Sequence, residues 1–152
     1  HEDDRRGHKM LAERLAPPVC LDESVLSVDS AESLIDYGAC EIVNIKAGRV
    51  GGYLSAVAIH DMALHRGIPV WCGGMVETGL GRAGNVALAS LPGFTLPGDT
   101  SASSRFYAQD LTEPLTMHDG MMTVPTRPGL GVAPIPNVLD EVRVSRHPLT
   151  RA

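Results

Sequence analysis

Short apolar segments recur along this chain at intervals of 23, 26 and 26 residues, counted from Val19, Ile42, Ile68 and Phe94. Each segment is three to five residues long. The stretches around them predict helices at 4–16, from a cap at Asp29 to a stop at Gly38, at 53–66 and at 81–90. This alternation and spacing are typical of right-handed βα units, which build a parallel sheet in an α/β fold.

The four predicted strands are short apolar runs in which polar and apolar residues do not alternate, which indicates burial on both faces. Two architectures satisfy that requirement. One is an open doubly wound sheet, and the other is half of an eight-stranded (β/α) barrel, which takes about 250 residues when complete. The chain has 152 residues, 43% of them hydrophobic, and begins at His1 in place of methionine. We therefore expect one core and a piece of a longer protein, and half a barrel would expose two unpaired strand edges.

The charge, the hydropathy and the cysteine content of the chain argue against some classes of binding partner and predict the redox state of its thiols. Thirteen Lys and Arg stand against eighteen Asp and Glu without a basic run, which argues against nucleic acid. No stretch approaches the roughly 18 apolar residues of a membrane-spanning helix, so we expect no membrane partner. Cys20, Cys40 and Cys72 form no Cys-x-x-Cys pair. This is typical of reduced thiols in a cytoplasmic protein and predicts a small buried side chain at each position.

Polar residues or bare glycines follow each predicted strand: Asp22, Lys46, the pair 73–74 and Asp99. In both architectures, ligands bind at the carboxyl ends of parallel strands. Asp22 is either a solvated turn acid or an oxygen ligand for a hard cation such as Mg²⁺, which needs further carboxylates. Lys46 is either a solvated lysine or, beside such a cation, a general base that removes a proton next to a carboxylate.

The stretch Gly79–Gly84 matches the G-x-G-x-x-G pattern of dinucleotide-binding loops, and Asp99 lies about 20 residues further on. The pattern begins five residues after Gly74, and no helix–strand pair follows Asp99. These departures argue against NAD binding. The glycines instead predict a loop that approaches a substrate and a helix N-terminus that faces an anion.

Six segments together resemble the N-acylamino acid racemases that also act as o-succinylbenzoate synthases, within the enolase superfamily. They are Leu21–Ser24, Ile42–Lys46, Gly48–Gly52, Trp71–Gly79, Leu96–Ser103 and Pro128–Val132. The resemblance runs from about residue 1 to about residue 142 and implies the second half of an enolase-type (β/α) barrel over residues 1–99. Residues 100–152 would form an irregular C-terminal tail that packs on the barrel and the capping region, with the capping domain itself absent.

The resemblance also implies roles for individual residues. Lys46 would be one of two catalytic lysines that face each other across the substrate, and Asp22 would be the third of three metal-binding carboxylates. Other matched residues lie around that centre or near the acyl part of the substrate: Glu23 and Asn44 in the first group, Gly73, Gly74 and Met75 in the second. The family's Lys-x-Lys segment and its other two metal carboxylates are absent from this chain.

The activity that the resemblance implies for the complete enzyme is 1,1-proton transfer in N-acylamino acids. The same enediolate can instead lose water to give o-succinylbenzoate in menaquinone synthesis. The cofactor would be a divalent metal, Mg²⁺ or else Mn²⁺ or Co²⁺. The partners would be a small carboxylate substrate, the missing N-terminal half and further copies in a homo-oligomer, and this chain alone would be inactive. Two alternatives stay open: another epimerase or cycloisomerase of the superfamily, and a non-catalytic fragment.

Overall fold

The computed structural model describes residues 1–149 of the chain. Within this range the fold has five α-helices, a short 3-10 helix, a parallel sheet and an antiparallel sheet of two strands. The elements are α1 (Arg5–Ala12), β1 (Cys20–Leu21), α2 (Val28–Asp36), β2 (Ile42–Ile45), α3 (Tyr53–His65), β3 (Val70–Cys72), α4 (Gly79–Ala89), the 3-10 helix (Ser103–Arg105), β4 (Met117–His118), β5 (Met121–Met122) and α5 (Pro136–Val142). The predicted α/β alternation is confirmed.

The strands β1, β2 and β3 form the parallel sheet in that order. The register pairs Leu21 with Val43, Val43 with Val70, and Ile45 with Cys72. All five side chains are buried, at 4% exposed or less. Since paired residues of a sheet point to the same face, these five form its core face. The helices α2 and α3 add these side chains to the same core: Ala31, Leu34, Ala56, Ile59 and Ala63.

The start of α2 differs from the prediction, because Ser27 caps it in place of Asp29. The Ser27 hydroxyl accepts a hydrogen bond from Ser30 N at 3.1 Å, and the Ser30 hydroxyl accepts one from Ser27 N at 2.9 Å. This reciprocal pair is a capping box. Asp29 lies in the first turn, where its charge favours the positive end of the helix dipole. The predicted stop at Gly38 is confirmed by its φ of +73°, a conformation that favours glycine.

The fourth strand predicted at 94–96 does not form, so the parallel sheet has three strands where about four were expected. The segment is irregular, between Gly93 with a φ of +101° and Pro97. Three residues offer few ladder bonds, and the following proline has no N–H to donate. A backbone bond of 2.9 Å from Asp99 N to Cys72 O connects the end of the segment to β3.

The three cysteines are free thiols. Cys40 and Cys72 are buried, as predicted. Burial raises the pKa of the Cys40 thiol to about 11, with smaller contributions from Cys20 and Glu41. Cys20 is exposed, contrary to the prediction, because it lies on the sheet face opposite the core. Its Sγ accepts a hydrogen bond of 3.2 Å from Trp71 Nε1.

The chain divides into two compact units. The first comprises His1–Met75 and Asn85–Thr100 and contains the parallel sheet. Within the described residues, the second comprises Val76–Gly84 and 101–149, and it contains the 3-10 helix, the β4–β5 pair and α5. None of the helices within residues 1–149 has the length and apolar character that a membrane crossing requires.

Candidate active site

The three parallel strands end side by side, and each is followed by a residue that the sequence analysis singled out. Asn44 pairs with Trp71 in the register, on the sheet face opposite the core. Lys46 and Gly73 each stand two residues further along their chain segments, so strand alternation gives them the same face. Asp22 follows β1 at the same edge and contacts Lys46 directly. All of these residues belong to the first compact unit.

Lys46 and Asp22 form an ion pair, with 2.9 Å between Lys46 Nζ and Asp22 Oδ2. Their side chains are 17% and 28% exposed, respectively. Solvent therefore screens this pair less than a pair on the open surface. The structure thus brings a lysine and a carboxylate into direct contact across 24 residues of sequence.

Arg49 is a third charged residue of the site, and sequence reasoning missed it. Its Nη2 donates to Asn44 O at 2.7 Å, its Nε donates to Val25 O at 2.8 Å, and its Nη1 donates to Asp22 Oδ1. Burial lowers the pKa of the guanidinium from its usual value. No sequence signal singles it out. In the structure, Arg49 N donates to Lys46 O at 3.0 Å, in a turn that folds the loop back on the strand end.

The side chain of Asn44 is buried beside Lys46 and is 0% exposed. Within residues 1–149, neither its Oδ1 nor its Nδ2 has a hydrogen-bond partner. Gly73 faces this amide from the neighbouring strand. A Cβ at Gly73 would lie 2.7 Å from Asn44 Nδ2 and 2.8 Å from Lys46 Cε. The lysine, the amide and the glycine are therefore packed against one another.

The remaining predicted residues are more open to solvent. Glu23 is exposed, as expected for a residue that follows Asp22 directly and points away from it. Gly74 is half-buried, and Met75 is 60% exposed. Met75 is the last residue of the segment His1–Met75 in the first compact unit.

The donor set at this edge is small for a divalent cation. Asp22 supplies a carboxylate, but its two oxygens already engage Lys46 and Arg49. Within residues 1–149, the three potential ligands that lie close enough to share an ion are the exposed group His1, Glu2 and Asp3. Hard cations prefer several oxygen ligands, with carboxylates that balance their charge. Asp22, already neutralised by two cations, does not fit such an ion by itself.

The N-terminus of α4 faces an anion, as predicted, but the anion is a side chain of the same unit. Gly79 N donates to Asp110 Oδ1 at 2.9 Å, and Asp110 is 6% exposed. A Cβ at Gly79 would lie 3.1 Å from Thr112 Cβ and 3.3 Å from Asp110 Oδ2. Gly79 therefore makes room for the protein's own side chains at this helix end.

Comparison with known proteins connects this arrangement to characterised families. A family profile described as "Enolase C-terminal domain-like" matches residues 1–138. The chain is 63% identical over 145 residues to an N-succinylamino acid racemase of Amycolatopsis sp, which covers 95% of this chain and 39% of the relative. It is 50% identical over 130 residues to an o-succinylbenzoate synthase of Geobacillus kaustophilus, which covers 85% of this chain and 35% of the relative.

A solved structure gives the same result for the fold. A member of the enolase superfamily from Listeria innocua superposes with a TM-score of 0.90 at 41% identity, over 93% of this chain and 38% of the other. The chain thus spans well under half the length of these relatives and corresponds to their C-terminal portion.

Proposed function

This chain belongs to the enolase C-terminal domain-like family, and from that membership we propose that it carries part of the active site of an enzyme that removes the α-proton of a carboxylate. The observation that carries the proposal is the contact of 2.9 Å between Lys46 and Asp22 at the carboxyl ends of adjacent parallel strands. In barrels of this kind, catalytic groups stand at that edge. We also propose that residues 1–99 complete a barrel with segments that this chain does not contain.

In this proposal Lys46 is the general base on one face of the substrate. Its neutral amine takes the α-proton, and the electron pair of the broken C–H bond moves into the carboxylate to form an enediolate. A second base, outside this chain, returns a proton to the opposite face and inverts the configuration. Because Lys46 Nζ bonds Asp22 in the structure, that bond has to open before the amine can reach a substrate.

A divalent cation generally stabilises the enediolate in enolase-superfamily enzymes, in which a lysine often serves as the base. In this chain Asp22 is the residue that we propose as a ligand, with Mg²⁺ before Mn²⁺ or Co²⁺. Its engagement with Lys46 and Arg49 means that the other carboxylates have to come from the rest of the enzyme.

The substrate class follows from the names of the relatives. The racemase at 63% identity acts, by its name, on N-succinylamino acids, and the relative at 50% identity is an o-succinylbenzoate synthase. We propose racemisation of N-acylamino acids as the first activity and o-succinylbenzoate formation as the second. Epimerases of the superfamily are a weaker candidate, since an L-Ala-D/L-Glu epimerase of Bacillus subtilis is 27% identical to this chain.

The test measures racemisation of both N-succinylamino acid enantiomers and formation of o-succinylbenzoate, with Mg²⁺ or Mn²⁺. The chain is assayed alone and together with the N-terminal portion that its relatives possess. We expect activity only in the combined sample and its loss in Lys46→Ala. Lys9→Ala is the matched control, because Lys9 is the chain's other lysine and pairs with Glu13 on α1. Activity of the chain alone, or full activity of Lys46→Ala, would contradict the proposal.

A further inference from the structure

Gly73 occupies a position where the backbone does not require glycine. It directly follows β3, and its N–H donates to Ile45 O at 3.0 Å, which continues the parallel ladder by one residue. Its φ lies outside the left-handed region that favours glycine, unlike the φ of Gly51 and Gly52 in the loop after Lys46. The reason for a glycine at this position therefore has to be space.

Two side chains fill that space. A Cβ at Gly73 would contact Asn44 Oδ1 most closely, and it would lie 2.7 Å from Asn44 Nδ2 and 2.8 Å from Lys46 Cε, all closer than real Cβ contacts. The amide of Asn44 is 0% exposed and has little room to move, because protein interiors are close-packed. Lys46 is 17% exposed and ends in a flexible stem. An added methyl group at Gly73 would therefore clash with both side chains, and it would displace the flexible stem of Lys46 along with the Asn44 amide.

We propose that Gly73 is a positioning residue for Lys46: the missing side chain leaves the channel through which the lysine stem passes Asn44 to reach Asp22. This inference rests on the proposed function, in which Lys46 is the base on one face. Gly73 would thus set the position of the Lys46 side chain, in addition to any contact that it makes with the acyl part of a substrate. Gly73 acts through Lys46 and takes no part in the chemistry itself.

The test uses the assembled enzyme with Gly73→Ala and the matched control Gly48→Ala. Gly48 has open space within 4 Å of its Cβ position and no left-handed φ, and it stands two residues after Lys46. The readout is α-proton exchange with solvent deuterium, measured separately for each substrate enantiomer. A displacement of the base by about 1 Å can slow its step by about a hundredfold. For Gly73→Ala we expect a loss of this size in kcat for one enantiomer, with KM nearly unchanged. This is the enantiomer whose exchange Lys46→Ala abolishes.

The other enantiomer separates positioning from damage to the fold. Gly73→Ala should keep its exchange rate, because in the proposed mechanism the opposite base acts from the other face of the substrate, and Gly48→Ala should keep both rates. Equal losses for both enantiomers would overturn the inference, since a general loss of structure predicts that result. If the parent enzyme exchanges neither enantiomer, the proposed function fails and the second measurement decides the inference.

That second measurement needs no activity. Carbon-13 labelling of the two lysine ε-carbons gives separate NMR signals for Lys9 and Lys46 in this chain. Gly73→Ala should shift the Lys46 signal and weaken its nuclear Overhauser contacts with Asn44, while the Lys9 signal stays in place. An unshifted Lys46 signal in a folded Gly73→Ala variant would show that the methyl group is accommodated elsewhere, and the inference would be wrong.

Discussion

Replacing Arg49 by alanine removes a side chain that ties three chain segments together. Its guanidinium donates to Val25 O at 2.8 Å and to Asn44 O at 2.7 Å, and it bonds the Asp22 carboxylate. Val25 and Asn44 are both 0% exposed. After the substitution, water reaches their carbonyl oxygens poorly, so Arg49→Ala should destabilise the fold around the candidate site.

The loss of stability in Arg49→Ala can be estimated from the carbonyl oxygens that lose their hydrogen-bond donor. Each unsatisfied buried acceptor costs about 1–3 kcal/mol. The Asp22 side chain is 28% exposed and keeps its bond to Lys46, so we add no further cost for it. Two carbonyl oxygens then give a loss of about 2–6 kcal/mol in the free energy of unfolding. For a chain of this size, the melting temperature should fall by roughly 4–24 °C.

The assay is urea denaturation followed by the fluorescence of Trp71, the chain's one tryptophan, and by circular dichroism. Arg66→Ala is the matched control, because Arg66 bonds the surface carboxylates of Glu32 and Asp36. Exposed pairs of that kind contribute about 0–1 kcal/mol. Equal losses in the two arginine variants would refute the reasoning, because the buried carbonyl bonds would then count no more than surface ion pairs.

Two further predictions concern Cys40 and the start of α4. Since burial raises the pKa of Cys40 from 9.0 to about 11, its protonated form stabilises the fold fully below pH 9.0, and this contribution falls as pH rises towards about 11. The expected loss is about 1.4 kcal/mol per pH unit. Cys40→Ala should flatten the dependence in urea denaturation between pH 9.0 and about pH 11, and an unchanged slope would contradict this. Asp110→Ala should cost about 1 kcal/mol and speed hydrogen exchange at Gly79 N, whereas Asp110→Asn keeps the acceptor. Equal exchange rates in both variants would contradict the cap.

Hydrophobic pattern predicted the parallel sheet because each strand is buried on its core face by helices that follow it in sequence. The apolar run Ile42–Ile45 became β2 with the predicted bounds. The similar run at 94–96 did not become a strand. An apolar composition indicates that a segment is buried. A β-strand also needs a neighbouring strand in register and enough free backbone N–H groups to form hydrogen bonds with it. At 94–96 the N–H groups of Phe94 and Thr95 bond Leu91 O and Gly93 O instead, and only the tertiary structure reveals this.

The meeting of Asp22 and Lys46 was predictable because parallel strands end at one edge of their sheet. The parts played by Arg49 and Gly73 were not. Arg49 reaches the site through a turn and three acceptors, two of which are backbone oxygens that carry no residue-specific signal. Gly73 was predicted to leave bare backbone for a substrate. Whether a ligand or a neighbouring side chain fills such a gap depends on rotamers, here those of Asn44 and Lys46.

The N-terminus of α4 shows that a sequence pattern can predict a bound anion without identifying the anion. A glycine pattern ahead of a helix indicates that another group approaches the backbone N–H groups of the helix N-terminus closely. The helix dipole favours an anion at that position. The pattern does not indicate whether that anion is a ligand or a carboxylate of the protein. Asp110 stands 31 residues from Gly79 and takes the place. The bond from Gly79 N to Asp110 Oδ1 therefore caps this helix end with a carboxylate of the protein itself.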